Sequence, residues 1–153
     1  MNIYAPNDKT QQVLFFKGLQ QHLGPFADEH IVVGGDFNCT LTEKDKKGGN
    51  PVSAKKASVI KEINQLCYAC NLTDLWRSLN PDLESFTWRN KSFKIQCCLN
   101  CFPVSQDLCR LATSCKIVHA AETDHSEILI QRTREKVRLL EIQQFIFKGR
   151  KVH

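Results

Sequence analysis

The chain has 153 residues, of which 42% are hydrophobic, so its length and composition fit one domain with a single buried core. The formal net charge is +5, yet residues 1–130 contain 14 Lys and Arg against 14 Asp and Glu, so the excess positive charge lies after them. No apolar run approaches the ~20 residues of a membrane span, and no signal peptide opens the chain. We therefore expect an intracellular protein of the cytoplasm or nucleus, neither secreted nor inserted in a membrane.

The first third of the sequence predicts short strands and one helix. Residues 2–4 read as a strand that ends at the following Ala-Pro-Asn. Asp8 is a helix cap, and apolar residues at helical spacing predict a helix to about Leu23. Residues 30–34 are predicted to form a short buried strand with β-branched residues, and the sequence GDFN follows it.

The remaining sequence continues this mixture of elements. Ser53 caps a second predicted helix that reaches about Asn71, and a short helical turn follows it. Further strands are predicted at residues 86–88, 92–102, 115–120 and 126–131. Strands and helices in this order indicate a layered α/β or α+β domain.

The end of the chain, residues 131–153, is predicted to be a basic amphipathic helix. It contains seven basic and two acidic residues. Such a segment binds polyanions weakly and without sequence preference, although most runs of this kind are simply solvated. We therefore divide the chain into a domain of residues 1–130 and a basic tail of unknown role.

Eight cysteines without a secretory signal are expected to be reduced thiols. Two pairs have zinc-like spacing, Cys67 with Cys70 and Cys98 with Cys101. The first pair continues an apolar helical stripe, which would point both thiols into a core. Neither pair has a nearby glycine for the tight turn of a zinc knuckle. We expect core thiols and no zinc, with a zinc-binding module as the alternative.

Polar residues follow two of the predicted strands. Asp36 and Asn38 lie two apart, and in an extended segment they would share a face. Asp124 and His125 form a second polar cluster at a strand boundary. A carboxylate and an amide can activate and hold a water, and an imidazolium can neutralise a phosphate oxygen, which suits metal-assisted hydrolysis of a phosphodiester. The alternative is that each cluster is only a polar turn.

Five motifs in fixed order extend this interpretation. They are NIYAPN at 2–7, VVGGDFN at 32–38, LTDLWRSLNP at 72–81, FTW at 86–88 and TDH at 123–125. Their order and spacing resemble the endonuclease domain of LINE-type retrotransposons, a branch of the exonuclease–endonuclease–phosphatase superfamily related to DNase I and apurinic endonucleases. The resemblance covers residues 2–130. It implies a DNase I-like four-layer α/β sandwich, acting as a monomer on DNA with Mg²⁺ or Mn²⁺.

The resemblance also assigns catalytic roles. Asp36 would be the general base that activates water, and Asn38 would orient that water or stabilise the transition state. Asp124 would assist the metal or the nucleophile, and His125 would contact the phosphate oxygens.

Three further residues receive roles at the substrate. Tyr4 and Asn7 would line the scissile phosphate, with Tyr4 counted among the catalytic residues. Thr87 matches a family position near the DNA backbone. These roles follow from the resemblance alone.

Two departures from the family predict impaired activity. The family usually has Arg-Leu-Asp where this chain has Cys98-Leu99-Asn100, so the aspartate that holds the catalytic histidine is replaced by Asn100. The family's metal-holding glutamate and first asparagine lie upstream of NIYAPN, so the resemblance implies an N-terminally truncated domain with Asp124 as the metal ligand that remains. We expect an impaired or inactive phosphodiesterase fragment, or alternatively a non-catalytic remnant that acts as a weak binding module.

Overall fold

The computed structural model describes residues 1–51, 53–118 and 124–132. The strands are β1 (Asn2–Tyr4), β2 (Gly34–Asp36), β3 (Lys46–Lys47), β4 (Leu72–Asp74), β5 (Trp88–Arg89), β6 (Gln96–Cys97), β7 (Asn100–Cys101), β8 (Pro103–Ser105), β9 (Ala112–Val118) and β10 (Glu127–Arg132). The helices are α1 (Lys9–Leu23), α2 (Ala54–Ala69), α3 (Leu75–Leu79) and α4 (Gln106–Leu111). The predicted mixed α/β architecture is confirmed. Most of the predicted basic tail, residues 133–153, and Thr123 of the TDH motif lie outside the described residues.

The strands form several small sheets. One has the order β1-β2-β7, with β1 and β2 parallel, and another has the order β3-β6-β5. Strand β4 pairs with β8, and β9 pairs with β10. An isolated bridge between Val32 and Val104 joins the first sheet to β8, and a bridge between Trp88 and His125 joins β5 to the segment before β10. The second bridge places His125 beside β5.

Helix α1 forms as its sequence predicts. The Asp8 side chain accepts hydrogen bonds from the Thr10 and Gln11 amides at 3.0 and 2.9 Å, which caps the first turn. The Phe16 ring stacks on Phe37 with a centroid distance of 5.5 Å. The buried residues of α1 are Gln12, Phe16, Leu19 and Leu23. The helix therefore buries one stripe against the residues that follow β2.

Helix α2 ends earlier than predicted. Its last residue is Ala69 rather than Asn71, because Asn71 has a φ of +50° in the left-handed region and turns the chain. The next residues form β4, a strand that the sequence did not predict, paired with β8 from Leu72 to Asp74. Pairing with residues 29 to 33 positions farther along the chain decides this conformation.

The predicted strand at residues 30–34 is displaced, since regular pairing begins only at Gly34. Residues 31–33 run beside β8, where the Val33 amide donates to the Pro103 carbonyl at 2.8 Å and the Ser105 amide donates to the Ile31 carbonyl at 2.9 Å. Pro103 has no N–H, so it cannot complete the ladder at this point. The long strand predicted at residues 92–102 is likewise broken into short ones.

Two hydrophobic clusters contain most of the thiols. Cys70 and Cys101 belong to the cluster between the helices and the β1-β2-β7 sheet, and Cys98 and Cys115 belong to the second cluster around α3 and β9. Burial raises the pKa of Cys67, which packs against the first cluster, to about 12. The prediction of core thiols is confirmed. The expectation of no zinc stays a prediction, which elemental analysis of the purified protein tests.

Among the described helices, none has both the length and the apolar character needed to cross a bilayer.

Candidate active site

Asp36 lies at the centre of the candidate site. It is the last residue of β2 and is paired with Tyr4 of β1 on one side and with Asn100 of β7 on the other. Its Oδ1 atom accepts a hydrogen bond from the Asn38 amide at 2.8 Å, and its Oδ2 atom lies 4.0 Å from Nε2 of His125. The carboxylate is thus held between a backbone donor and an imidazole.

The surroundings of Asp36 shift the pKa of its carboxyl group upward. Burial raises the pKa of Asp36, and the Asn38 amide, His125 and Lys9 oppose that shift. A carboxylate with a raised pKa accepts a proton more readily than an exposed one. This property suits the predicted role of general base.

Asn38 is placed by a turn and not by an extended strand. Its φ is +48°, so the expectation that Asp36 and Asn38 share one face of an extended segment is wrong. The turn nevertheless keeps the two residues in contact through the Asn38 amide. The side-chain Nδ2 of Asn38 donates to the Ala5 carbonyl at 2.7 Å, which ties the end of β2 to the end of β1.

The segment that carries Asp124 and His125 is fixed by β5. The backbones of Trp88 and His125 form a β-bridge, and the indole Nε1 of Trp88 donates to Oδ2 of Asp124 at 3.1 Å. The His125 side chain is 25% exposed and faces Asp36, whereas Asp124 is exposed and engaged by Trp88. The two polar clusters of the sequence therefore meet through His125 and Asp36.

Thr87 is in the interior. Its side chain is 0% exposed, and its Oγ1 atom accepts hydrogen bonds from the Leu99 and Asn100 amides at 2.8 and 3.0 Å. A side chain without exposed surface has no atom for DNA to contact, so this structure does not support the expected contact. Thr87 instead holds the strand that lies beside Asp36.

Asn100 stands at the position of the family's aspartate, but its side-chain oxygen is unpaired among the described residues. The residue is 6% exposed, and its Oδ1 atom has no hydrogen-bond partner in the described part of the chain. Asn100 could in principle accept a hydrogen bond from His125 as the family's aspartate does, and this oxygen does not accept one from any described residue. A buried carbonyl oxygen without a partner is costly, by about 1–3 kcal/mol.

Tyr4 and Asn7 lie at the open side of the site. Tyr4 is 71% exposed and is paired in register with Asp36, and Asn7 is exposed in the loop after β1. Both side chains are exposed to solvent, and Tyr4 is the neighbour of Asp36 in the sheet. Their predicted contact with a phosphate stays a prediction.

The described residues do not form a metal-binding cluster by themselves. In residues 1–51, 53–118 and 124–132, no group of three or more His, Cys, Asp or Glu side chains could hold a metal ion. Mg²⁺ requires octahedral coordination by oxygen, and Asp124, the predicted ligand, already accepts the Trp88 N–H. The described residues therefore do not by themselves fit a complete Mg²⁺ site.

Two residues that contact Asn38 were not identified from the sequence. Lys9 donates to the Asn38 carbonyl at 2.9 Å, and Gln12 donates to the same carbonyl at 3.0 Å. Gln12 precedes Phe16 by one helical turn on the buried face of α1, so a polar residue in an apolar stripe was the signal that could have identified it.

The sequence of the chain is similar to part of one known protein. No protein-family model matches the chain. Over 89 residues it is 34% identical to the transposon TX1 uncharacterized 149 kDa protein of Xenopus laevis, which is 58% of this chain and 6% of that protein. The chain thus spans a small part of its curated relative.

Solved structures resemble the chain over most of its length. The 3′ phosphatase NExo from Neisseria, bound to product DNA hairpin, has a TM-score of 0.69 at 16% identity, covering 86% of this chain and 60% of its own. An AP endonuclease from Archaeoglobus fulgidus has a TM-score of 0.67 at 14% identity, covering 82% and 57%.

These likenesses confirm the fold that the five motifs predicted. The transposon protein found by sequence agrees with the LINE-type resemblance. The chain shares the fold of these solved structures, a DNase I-like α/β sandwich.

Proposed function

We propose that this chain carries part of a metal-dependent phosphodiesterase site for DNA, of the kind found in LINE-type retrotransposon endonucleases. One observation carries the proposal: the Asp36 carboxylate accepts the Asn38 amide and lies 4.0 Å from His125 at an accessible end of the sheet. Two structural neighbours, the 3′ phosphatase bound to a DNA hairpin and the AP endonuclease, support DNA as the substrate class.

The proposed chemistry is attack of water on a phosphorus atom of DNA. Asp36 takes a proton from the water while a new P–O bond forms and the bond to the leaving oxygen breaks. His125, when protonated, neutralises charge on a phosphate oxygen. Tyr4 and Asn7 contact the phosphate from the open side.

Turnover by this chain alone is expected to be low. The described residues do not provide the ligand set of the divalent cation that such a reaction uses. In addition, Asn100 cannot stabilise a protonated His125 as an aspartate would.

Conversion of supercoiled plasmid to nicked circles tests the proposal. The purified chain with Mg²⁺ or Mn²⁺ should nick slowly, and Asp36→Ala should lower the rate by about 10²–10⁴-fold, or to background, because it removes the general base. Asp28→Ala, which truncates an exposed carboxylate elsewhere, is the matched control and should nick as the wild type does. A nicking rate in Asp36→Ala close to that of the wild type would contradict the assigned base.

The alternative function is a binding module of the same fold without catalysis. The lack of a metal-binding group among the described residues favours it. Retention of plasmid in a mobility-shift assay, together with no nicking at high protein concentration, would support this alternative over the enzyme.

Restoring the family's residue at position 100 should not restore turnover. Asn100→Asp adds a carboxylate, yet the described residues still lack a cation ligand set. We expect the nicking rate of this variant to stay within a few-fold of the wild type. A large gain in rate from this single change would show that the support of His125, and not the cation, limits the reaction.

A further inference from the structure

Gln12 is a polar side chain in an apolar environment. It is 0% exposed and lies on the face of α1 that also buries Phe16, Leu19 and Leu23. Burying an amide without hydrogen bonds is costly, so a fully buried glutamine must have its polar atoms satisfied.

The hydrogen bonds of Gln12 connect the two loops of the candidate site. Its Nε2 atom has two hydrogens and lies 2.6 Å from the Pro6 carbonyl oxygen and 3.0 Å from that of Asn38, with the Phe37 carbonyl oxygen farther away at 3.3 Å. Its Oε1 atom accepts a hydrogen bond from Nζ of Lys9 at 3.0 Å. One side chain thus links the loop that follows β1 to the turn that follows β2.

This link acts on Asp36 through Asn38. Asn38 has a left-handed backbone, and its amide donates to Asp36 at 2.8 Å. Gln12 and Lys9 hold the Asn38 carbonyl, which limits how far the turn can rotate. The hydrogen bond from the Asn38 amide to Asp36 therefore depends on the contacts that Gln12 and Lys9 make with the Asn38 carbonyl.

We infer that Gln12 is a positioning residue of the site, which holds the Asn38 turn against the loop of Pro6 so that the Asn38 amide supports the Asp36 carboxylate. The catalytic consequence of this inference rests on the proposed function, whereas its structural part does not. A glutamine is required because its amide both donates to carbonyls and accepts from Lys9. Glutamate cannot donate, and leucine can do neither.

The primary test is an NMR titration of the Asp36 carboxyl carbon in the full chain. In Gln12→Leu the turn loosens and the hydrogen bond to the ionised carboxylate weakens, so the titration midpoint should move to higher pH. The matched control is Gln11→Leu, the same change at an exposed neighbour on α1, and its midpoint should equal that of the wild type. A folded Gln12→Leu protein with an unchanged midpoint would overturn the inference.

A measurement on the wild type covers the case in which Gln12→Leu does not fold. The side-chain amide protons of Gln12 should exchange with solvent much more slowly than those of Gln11, because only the former are buried and hydrogen-bonded. Equal exchange rates would refute the contacts themselves.

Nicking kinetics separate this inference from the proposed function. If the wild type nicks plasmid, Gln12→Leu should lower kcat on the order of 100-fold with little change in KM, because a displaced base is misaligned with its water. An unchanged kcat in that variant would count against the positioning role. If the wild type does not nick, the proposed function fails, and the Asp36 titration still decides the role of Gln12.

Discussion

Gly35→Ala is expected to lower the free energy of unfolding by about 3 kcal/mol or more, or to prevent folding. A Cβ atom at Gly35 would lie 2.0 Å from the Ile3 carbonyl oxygen, and a backbone atom cannot move aside as a flexible side chain could. The φ of Gly35 is +148°, which L-residues rarely adopt. The change would separate β1 from β2 and with them Tyr4 from Asp36.

Gly18→Ala is the matched control for this prediction. Gly18 lies in the middle of α1, and among the described residues no atom beyond its chain neighbours and the backbone of its own helix lies within 4 Å of the position that its Cβ would take. The same chemical change should therefore raise stability by about 0.5–1 kcal/mol, since alanine is the better helix former. Urea unfolding of both variants measures the difference. A Gly35→Ala protein as stable as the wild type would contradict the close pairing of β1 and β2.

Asp36→Asn is expected to abolish nicking and to stabilise the fold at neutral pH. Burial raises the pKa of Asp36, so ionising this carboxyl in the folded state is unfavourable. In the wild type, the contribution of this group to the free energy of unfolding is therefore at its maximum below the ordinary pKa of 3.8. It declines as the pH rises through the raised pKa of the folded state. An asparagine is neutral throughout, so the variant avoids this decline.

The pH profile of unfolding distinguishes this effect from a general change in stability. The difference between Asp36→Asn and the wild type should be larger at pH 7 than near pH 3.5. Asp8→Asn is the control, because asparagine caps a helix as well as aspartate does, and its stability should stay within about 0.5 kcal/mol of the wild type. A variant that is less stable than the wild type at pH 7 would show that the Asp36 carboxylate is a net stabilising group.

Local signals in the sequence predicted the elements that depend on local chemistry. Helix α1 follows from the Asp8 cap and the spacing of Phe16, Leu19 and Leu23. The position of Asp36 at a strand end follows from the apolar run before GDFN. The meeting of Asp36 with His125 came from the family resemblance, because residues 89 positions apart carry no local sign of contact.

Features that depend on distant partners were not predicted. Strand β4 exists because β8 pairs with it, and the Asn38 turn is held by the side chains of Lys9 and Gln12. The Thr87 side chain is buried against Leu99 and Asn100, whose amides donate to it, and the sequence FTW alone does not predict that contact. In each case a hydrogen-bond partner elsewhere in the chain overrides the local pattern.

We propose that this chain has side chains that would handle water and phosphate, whereas its described residues do not by themselves supply a cation's ligands. Titration of the purified chain with Mn²⁺, followed by calorimetry and by paramagnetic broadening of the Asp36 and His125 amide signals, tests it most directly. We predict a Kd for Mn²⁺ above ~1 mM at this site, because the described residues contain no group of three or more side chains that could hold a metal ion. Stoichiometric, micromolar binding of Mn²⁺ beside Asp36 would contradict the claim.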